Sequence, residues 1–326
     1  MNYFLVSVSN RTNLDLCLKY ALAGFTSSIS GVWAFCDIAE GDFISFLYGA
    51  RVYNLYEVVE RRALRNASTI GPWPPVTFSM SGRTYYFPFR LSLRPVRYLE
   101  EPLVRLEFAY VAENLLLRGG YRKTHFQADQ TTLHSVSQMG QLAEPHHLSF
   151  ALPQHQAVTP RFAFAKGKAS PPEVFPFSEV ILQGVVRKHL SGTGNLGAFL
   201  KACGLHALEA QRLEVLGEKA LPEGHVDILV KEAAPFGIAR KIVVEVKTGR
   251  ATPKDIAQLL SYRNEIKNEC EGAALICKVA SREMVRKATA EDVAVFTFSI
   301  RDFDESKCYT FDELLTSLEL TKETRI

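Results

Sequence analysis

The sequence predicts a protein of two domains, with a β-rich first part and an α/β second part, α+β taken whole. Three observations predict this. The 326 residues exceed what a single core of ordinary size organises. Up to about residue 123 the apolar side chains mostly alternate, which is the period of strands. From about residue 173, strand-like and helix-like runs take turns, the order of a mixed sheet flanked by helices. Residues 124–172 between them are rich in Gln, Ser, His and Pro and end in KGKASPP, which predicts a polar linker. The expected segments are therefore 1–123, 124–172 and 173–326.

In the first part, NYFLVSVS (2–9) alternates and reads as a strand. NLDLCLKYALAG (13–24) has helical spacing, with Asn13 as N-cap and Gly24 as stop. GDFISFLYG (41–49) and RVYNLYEVVERRAL (51–64) are strands joined at Gly49-Ala50, and YYFPFRLSLRPVRYL (85–99) is a strand region interleaved with arginines. In the second part, FSEVILQGVVRKHL (177–190) is helical with Ser178 near its start, and LGAFLKACG (196–204) allows a short helix. Strands follow around 207–217, 225–231 and 240–247. TPKDIAQLLSYRNEIKN (252–268) has Thr252 as N-cap and Pro253 at the first helical position. AALICKVA (273–280) and VAVFTFSI (293–300) are apolar strands on either side of a helical SREMVRKATAED.

The chain is 47% hydrophobic and 22% charged, ordinary for a globular protein. No apolar run approaches the roughly 20 residues of a membrane helix, so no membrane partner is expected. MNYFLVSVSN begins directly with strand-like alternation, which predicts neither signal nor transit peptide. The six cysteines, Cys17, Cys36, Cys203, Cys270, Cys277 and Cys308, form no C-x-x-C pair and predict reduced thiols in a cytoplasmic protein. Net charge is only +3, but up to Lys123 there are twelve arginines and two lysines. Arginine suits bidentate phosphate and base-edge contacts, although arginine-biased composition gives the same count. His125, His134, His146, His147 and His155 show no ligand spacing and read as part of the polar linker.

The chemistry concentrates in GHVDILV (224–230) and KIVVEVKTG (241–249). Each reads as a strand. Asp227 lies on the first, and Glu245 and Lys247 lie on one face of the second. Charged side chains inside apolar strands are expensive to bury, and a hard divalent cation held by two carboxylates offsets that cost. Phosphodiester hydrolysis needs charge neutralisation, an activated water and help for the leaving oxygen, all of which such a cation supplies. Asp227 and Glu245 would bind it, with the carbonyl of Val246 as a further ligand. Lys247 would orient the water or stabilise the negative transition state. Gln258 and Tyr262, four apart on the next helix, share a face, and Glu179 on the preceding helix could face the same site. His225 shares a strand face with Asp227, and the plainer reading makes it a bystander.

Val226-Asp227, then Glu245-Val246-Lys247, then QLLSY (258–262), in this α/β order, resemble the PD-(D/E)xK nuclease superfamily, in particular its restriction-endonuclease-like and RecB-like members with a QxxxY helix, and the NucS-like nucleases. The resemblance covers roughly residues 173–300. It implies a restriction-endonuclease-like mixed sheet, with Asp227 and Glu245 at the metal positions, Lys247 catalytic, Gln258 and Tyr262 as the QxxxY pair and Glu179 as the helical acid. Glu214 and Glu218 also lie upstream of Asp227 and compete with Glu179 for that place. Gly-His-Val stands before Asp227 where the family has Pro. The implied cofactor is Mg2+, with Mn2+ as a substitute.

A nuclease core carries little sequence information, so the first part should be the reader. YFLVSVSN, NLDLCLKY, GVWAF, GDFISFLYG and YEVVE resemble the EVE and YTH-like branch of the PUA superfamily over about residues 1–110. Ser9-Asn10, Asn13, Gly31-Val32-Trp33 and Gly41-Asp42 anchor the resemblance. It implies a small β-barrel with helices that holds one extruded, often methylated base in an aromatic pocket. Extrusion costs a few kcal/mol, and stacking on a flat aromatic such as Trp33 returns roughly 1–3 kcal/mol. Asn10 could pair with the base's polar edge, and Tyr48, Trp73 or Phe89 could form the second wall, unless each aromatic is simply barrel core. Arg90, Arg94 and Arg97 could track phosphates or form a solvated strand face.

Together these readings predict a modification-dependent DNA endonuclease acting on double-stranded, methylated DNA, dimeric where both strands are cut. A repair nuclease acting on mismatched, flapped or branched DNA, and a non-catalytic nucleic-acid reader, are the alternatives.

Overall fold

The computed structural model describes residues 1–49, 51–77, 82–103, 124–144, 150, 156–165, 167–221 and 224–324. Two compact units divide the chain, Met1–Pro176 and Phe177–Ile326.

The first unit carries β1 (Tyr3–Ser7), α1 (Arg11–Tyr20), β2 (Leu22–Phe25), α2 (Ile29–Asp37), β3 (Phe43–Tyr48) and β4 (Arg51–Leu64). The short β5 (Val76–Thr77) and β6 (Thr84–Tyr85), which pair with each other, and β7 (Phe89–Tyr98) follow. The main sheet runs β2-β7-β4-β3-β1 and then β8 (His125–Ala128), with β1 and β3 parallel and the other neighbours antiparallel. Its two ends, β2 and β8, are four residues long and do not pair with each other, so the expected barrel is not closed among the described residues.

The first helix departs from expectation at both ends. Asn10, not Asn13, is the N-cap, and its side-chain oxygen accepts the Asn13 N–H at 2.8 Å. The helix stops at Ala21, which takes a left-handed conformation (φ 43). Residues 22–25 are claimed instead by pairing with β7. Gly24 therefore sits inside a strand, where a Cβ would lie 2.5 Å from the Trp73 ring, so the close ring approach explains the glycine.

Residues 124–172 do not form a plain linker. β8 pairs antiparallel with β1, α3 (Gln130–Ser137) follows under an Asp129 cap, β9 (Gln141–Leu142) pairs with β7, and β10 (Ala157–Val158) pairs with β4. β11 (Arg161–Ala163) and β12 (Val174–Pro176) pair in parallel. The polar composition misled because the strands are short and their buried polar groups are satisfied by partners distant in the sequence. His125 is buried and its Nε2 lies 3.0 Å from Oδ2 of buried Asp37 at the end of α2. His134 is exposed on α3, while His146, His147 and His155 lie outside the described residues.

In the second unit, α4 (Glu179–Ser191), α5 (Thr193–Cys203), β13 (Leu213–Leu221), β14 (Gly224–Glu232) and β15 (Lys241–Arg250) precede α6 (Pro253–Ile266). β16 (Cys270–Val279), α7 (Arg282–Ala290), β17 (Val293–Ile300), β18 (Cys308–Thr310), α8 (Phe311–Ser317) and β19 (Leu318–Lys322) complete it. The sheet order is β13-β14-β15-β16-β17-β19, antiparallel through β15, parallel from β15 to β17, and antiparallel again at β19. This is the mixed sheet expected. Residues 207–212, expected in a strand, form turns instead. One face of the sheet is covered by α6 and α7, where Ile256, Leu259, Met284, Val285 and Ala288 pack on Val243, Leu275 and Val295. Each of these side chains larger than Ala288, fully buried, contributes about 1.5–3 kcal/mol. Among the described residues no helix is long and apolar enough to cross a membrane.

Candidate active site

The site forms where β14 and β15 stop pairing. Their last rung is Ile228 with Val244, and one residue further come Asp227 and Glu245. There a side chain replaces the ladder, as the Val246 N–H donates to Oδ2 of Asp227 at 2.8 Å. A strand residue's N–H and C=O point to the same edge, so the Val246 carbonyl also faces β14 beyond the last rung. Two carboxylates and one carbonyl thus converge from sequence positions that alternation alone placed on these strands.

Glu245 is 0% exposed. Its Oε1 lies 2.8 Å from Nζ of Lys247, and its Oε2 has no hydrogen-bond partner among the described residues. Lys247 Nζ also donates to Oε1 of Glu179, the first residue of α4, at 3.1 Å. Glu179 is therefore the upstream acid that contacts Lys247. Glu214 pairs with Lys231 at 3.3 Å instead. Glu218, with φ 47, stands opposite Asp227 on β13, between rungs Gly217–Ile228 and Lys219–Val226, while Lys247 pairs with Glu245 and Glu179.

Burial pushes the Asp227 carboxyl well above the usual range, and the neighbouring Glu245 charge adds to this against the Val246 N–H and Lys247. Burial also raises Glu245, while the Lys247 hydrogen bond opposes it. For Lys247, burial favours the neutral amine, but Glu245, Asp227 and Glu179 outweigh it and the group is held above the ordinary lysine value. It stays a cation at neutral pH, a hydrogen-bond donor and not a base.

The donor set fits a hard divalent cation. An orphaned, fully buried carboxylate oxygen beside a second carboxylate is a costly arrangement that such a cation relieves. No group of three His, Cys, Asp or Glu close enough to hold a metal occurs among the described residues. The protein would therefore supply Asp227, Glu245 and the Val246 carbonyl, leaving water to complete the shell, as suits Mg2+.

Gln258 and Tyr262 meet as the helical spacing requires, with Gln258 Nε2 donating to Tyr262 Oη at 2.8 Å. Tyr262 Oη in turn donates to the His225 carbonyl at 2.8 Å. This clasp ties α6 to the strand that carries Asp227. It needs Gly224, where a Cβ would stand 2.7 Å from Tyr262 Oη. Sequence reasoning missed Gly224, whose only signal was a glycine opening an apolar strand. It also missed Asp255, which completes a capping box with Thr252 and adds negative charge near Glu245.

The base-binding candidates are spread through the first unit. Trp33 on α2 is 5% exposed, lies 4.5 Å edge-on from the His125 ring, and its buried Nε1 has no hydrogen-bond partner among the described residues. Trp73 is 8% exposed and packs on Phe87, with the Arg90 guanidinium over its ring. Tyr48 ends β3, and Asn10 caps α1. Among the described residues no ring contact joins Trp33, Tyr48 and Trp73. Phe89 is core, packed on Phe35 and Phe175. Arg90 is buried and donates to the carbonyls of Phe87, Ile70 and Gly71, so it pins a loop and is not free to track phosphates. Arg94 pairs with Glu57.

No protein-family model matches the chain, and no curated protein does. Among solved structures it is similar, at 12% identity, to the DNA modification-dependent restriction endonuclease AspBHI over 84% of this chain and 62% of that one, with a TM-score of 0.21. It is similar, also at 12% identity, to MspJI restriction endonuclease in complex with a 27-mer oligonucleotide over 89% of this chain and 64% of that one, with a TM-score of 0.18. The chain thus spans less than two thirds of each of those proteins, and likeness this slight carries no function across.

Proposed function

We propose that the second unit is a divalent-metal-dependent endodeoxyribonuclease, and that the first unit reads DNA by holding a methylated base extruded from the duplex. One observation supports the nuclease reading above the rest: a lysine kept cationic between Glu245 and Glu179, beside two buried carboxylates. An ordinary structural ion pair has no need of the second buried carboxylate or of an orphaned oxygen.

A divalent cation held by Asp227, Glu245 and the Val246 carbonyl would supply charge neutralisation at the phosphate and a more acidic attacking water. The Lys247 ammonium, fixed by its two carboxylates, donates to the phosphoryl oxygens as negative charge builds on them. Asp227 is oriented by the Val246 N–H, so its free oxygen is preset toward the site. Gln258 and Tyr262 hold α6 against β14 and so keep Asp227 in place. One such site cuts one strand, and a double-strand break requires a dimer or two successive nicks.

A repair nuclease acting on mismatched, flapped or branched DNA is the second reading. The near-complete burial of Trp33 and Trp73, which leaves neither ring face open to a base, favours it. Digestion of plasmids from hosts with different methylation, in Mg2+, separates the two. Selective cutting of a methylated plasmid, lost with nicking retained in Trp33→Ala, is the expected result. Equal cutting of methylated and unmethylated plasmid would reject modification dependence.

A further inference from the structure

The cations of the second unit are unevenly neutralised. Arg240 is paired with Glu232 at 2.7 Å, Arg301 with Glu319 at 3.0 Å and Lys307 with Asp304 at 3.9 Å. Arg250, Lys254, Lys278 and Arg282 are exposed, and none has a carboxylate at ion-pair distance among the described residues.

These four gather at one end of the sheet. β15 and β16 run parallel, with Lys247 beside Cys277 and Arg250 beside Val279. The Ala251 N–H donates to the Val279 carbonyl at 2.9 Å, which locks the two strand ends together. Lys254 lies in the first turn of α6, four residues after Arg250, and Lys278 immediately precedes Val279. Arg282 opens α7 three residues beyond Val279. Three or four residues of chain span at most about 11–14 Å, so all four backbones lie within that reach of the Arg250–Val279 pair. Arg250 is itself three residues from Lys247. The Lys278 ammonium lies over the rings of Phe298 at 5.2 Å and Phe303 at 5.4 Å, which steadies it without neutralising it.

Like charges gathered without ion-pair partners repel one another and attract a polyanion. DNA presents one phosphate about every 3.4 Å of rise along each strand, so a strand with a phosphate at Lys247 carries further phosphates over this rim. We propose that Arg250, Lys254, Lys278 and Arg282 form a phosphate-binding rim that grips the DNA backbone beside the scissile phosphate. The rim rests on the nuclease reading for its direction, but its binding is measurable without cleavage.

The test is fluorescence anisotropy of the full chain with a labelled duplex in EDTA, titrated from 50 to 200 mM salt. Log Kobs should fall linearly with log salt. Each alanine substitution should reduce that slope by about 0.9, and the fourfold alanine variant by about 3–4, with weaker binding to every sequence alike. The charge-conserving variant (Arg250→Lys, Lys254→Arg, Lys278→Arg, Arg282→Lys) should keep the wild-type slope, as should Arg301→Ala with Lys307→Ala. A folded fourfold variant with unchanged slope overturns the rim, as does loss of binding to anionic vesicles with DNA binding intact. If the fourfold variant does not fold, the four single slopes decide. Cleavage in Mg2+ is followed in parallel. Rim-dependent binding without cleavage leaves the rim standing and removes the nuclease reading, while cleavage with an unmoved slope does the reverse.

Discussion

Glu245→Gln should uncouple the protein's stability from divalent metal. In the wild type, Glu245 is fully buried with one oxygen unpartnered, and Asp227 is buried beside it. A cation at one hundred times its dissociation constant adds about 2.7 kcal/mol to the stability of the folded state. For a cooperative unit of the size of residues 177–326, each kcal/mol moves Tm by about 2–4 °C, so Mg2+ should raise Tm by roughly 5–10 °C. Glu245→Gln keeps the shape but removes the anionic donor, and its metal-induced shift should fall to about 1 °C or less. The pH dependence has a definite sign. Both carboxyls are held above their ordinary values, so protons compete with metal at higher pH than at ordinary carboxylates. The Mg2+-induced shift should shrink as pH falls from neutrality, before the ordinary carboxylate range near 4 is reached. In metal-free protein the sign is that of raised acids: stability from these groups is full below the unfolded carboxylate range and is lost as pH rises through the raised folded values. Differential scanning fluorimetry across pH, with and without Mg2+, reads both effects. An equal shift in Glu245→Gln, or one unchanged down to the ordinary carboxylate range, would refute the reasoning.

Tyr262→Phe removes the hydrogen bond to the His225 carbonyl and the acceptor of Gln258, and should cost about 1–3 kcal/mol in urea unfolding. Gly224→Ala places a methyl group against Tyr262 Oη and should cost a similar amount. The double variant should cost less than the sum, and strict additivity would show that the two residues do not touch. In the first unit, Asp37→Ala strips the partner from buried His125 and should cost about 1.5–3 kcal/mol. A change within about 0.5 kcal/mol, the range of surface substitutions, would return residue 125 to a linker.

The second unit was largely legible because its signals are local. Thr252-Pro253 announced α6, the four-residue spacing of Gln258 and Tyr262 gave their contact, and the two-residue spacing of Glu245 and Lys247 gave theirs. Choosing Glu179 over Glu214 and Glu218 was not legible from spacing, since it depends on α4 delivering its first residue to Lys247. The first unit was harder. α1 was displaced because Leu22–Phe25 can continue a helix or join a strand, and only β7, some seventy residues away in sequence, decides between them. The polar stretch after residue 123 hid β8 because His125 and Gln127 are buried through partners, Asp37 and Asn2, that lie far off in the chain. The alternating arginines of β7 suggested a phosphate track, yet Arg90 faces inward to loop carbonyls that no periodicity reveals.

Cleavage of supercoiled plasmid by purified wild type and Lys247→Ala, each in Mg2+ and in EDTA, tests the central claim most directly. Lys247 pairs with Glu245 and Glu179, so circular dichroism of the variant checks that it is folded, and its DNA binding in EDTA is measured beside cleavage. The expected result is nicked or linear plasmid from the wild type only, in Mg2+ only, with Lys247→Ala slower by at least about 100-fold. Cleavage by Lys247→Ala at the wild-type rate, or by the wild type in EDTA, would contradict the assignment of this site.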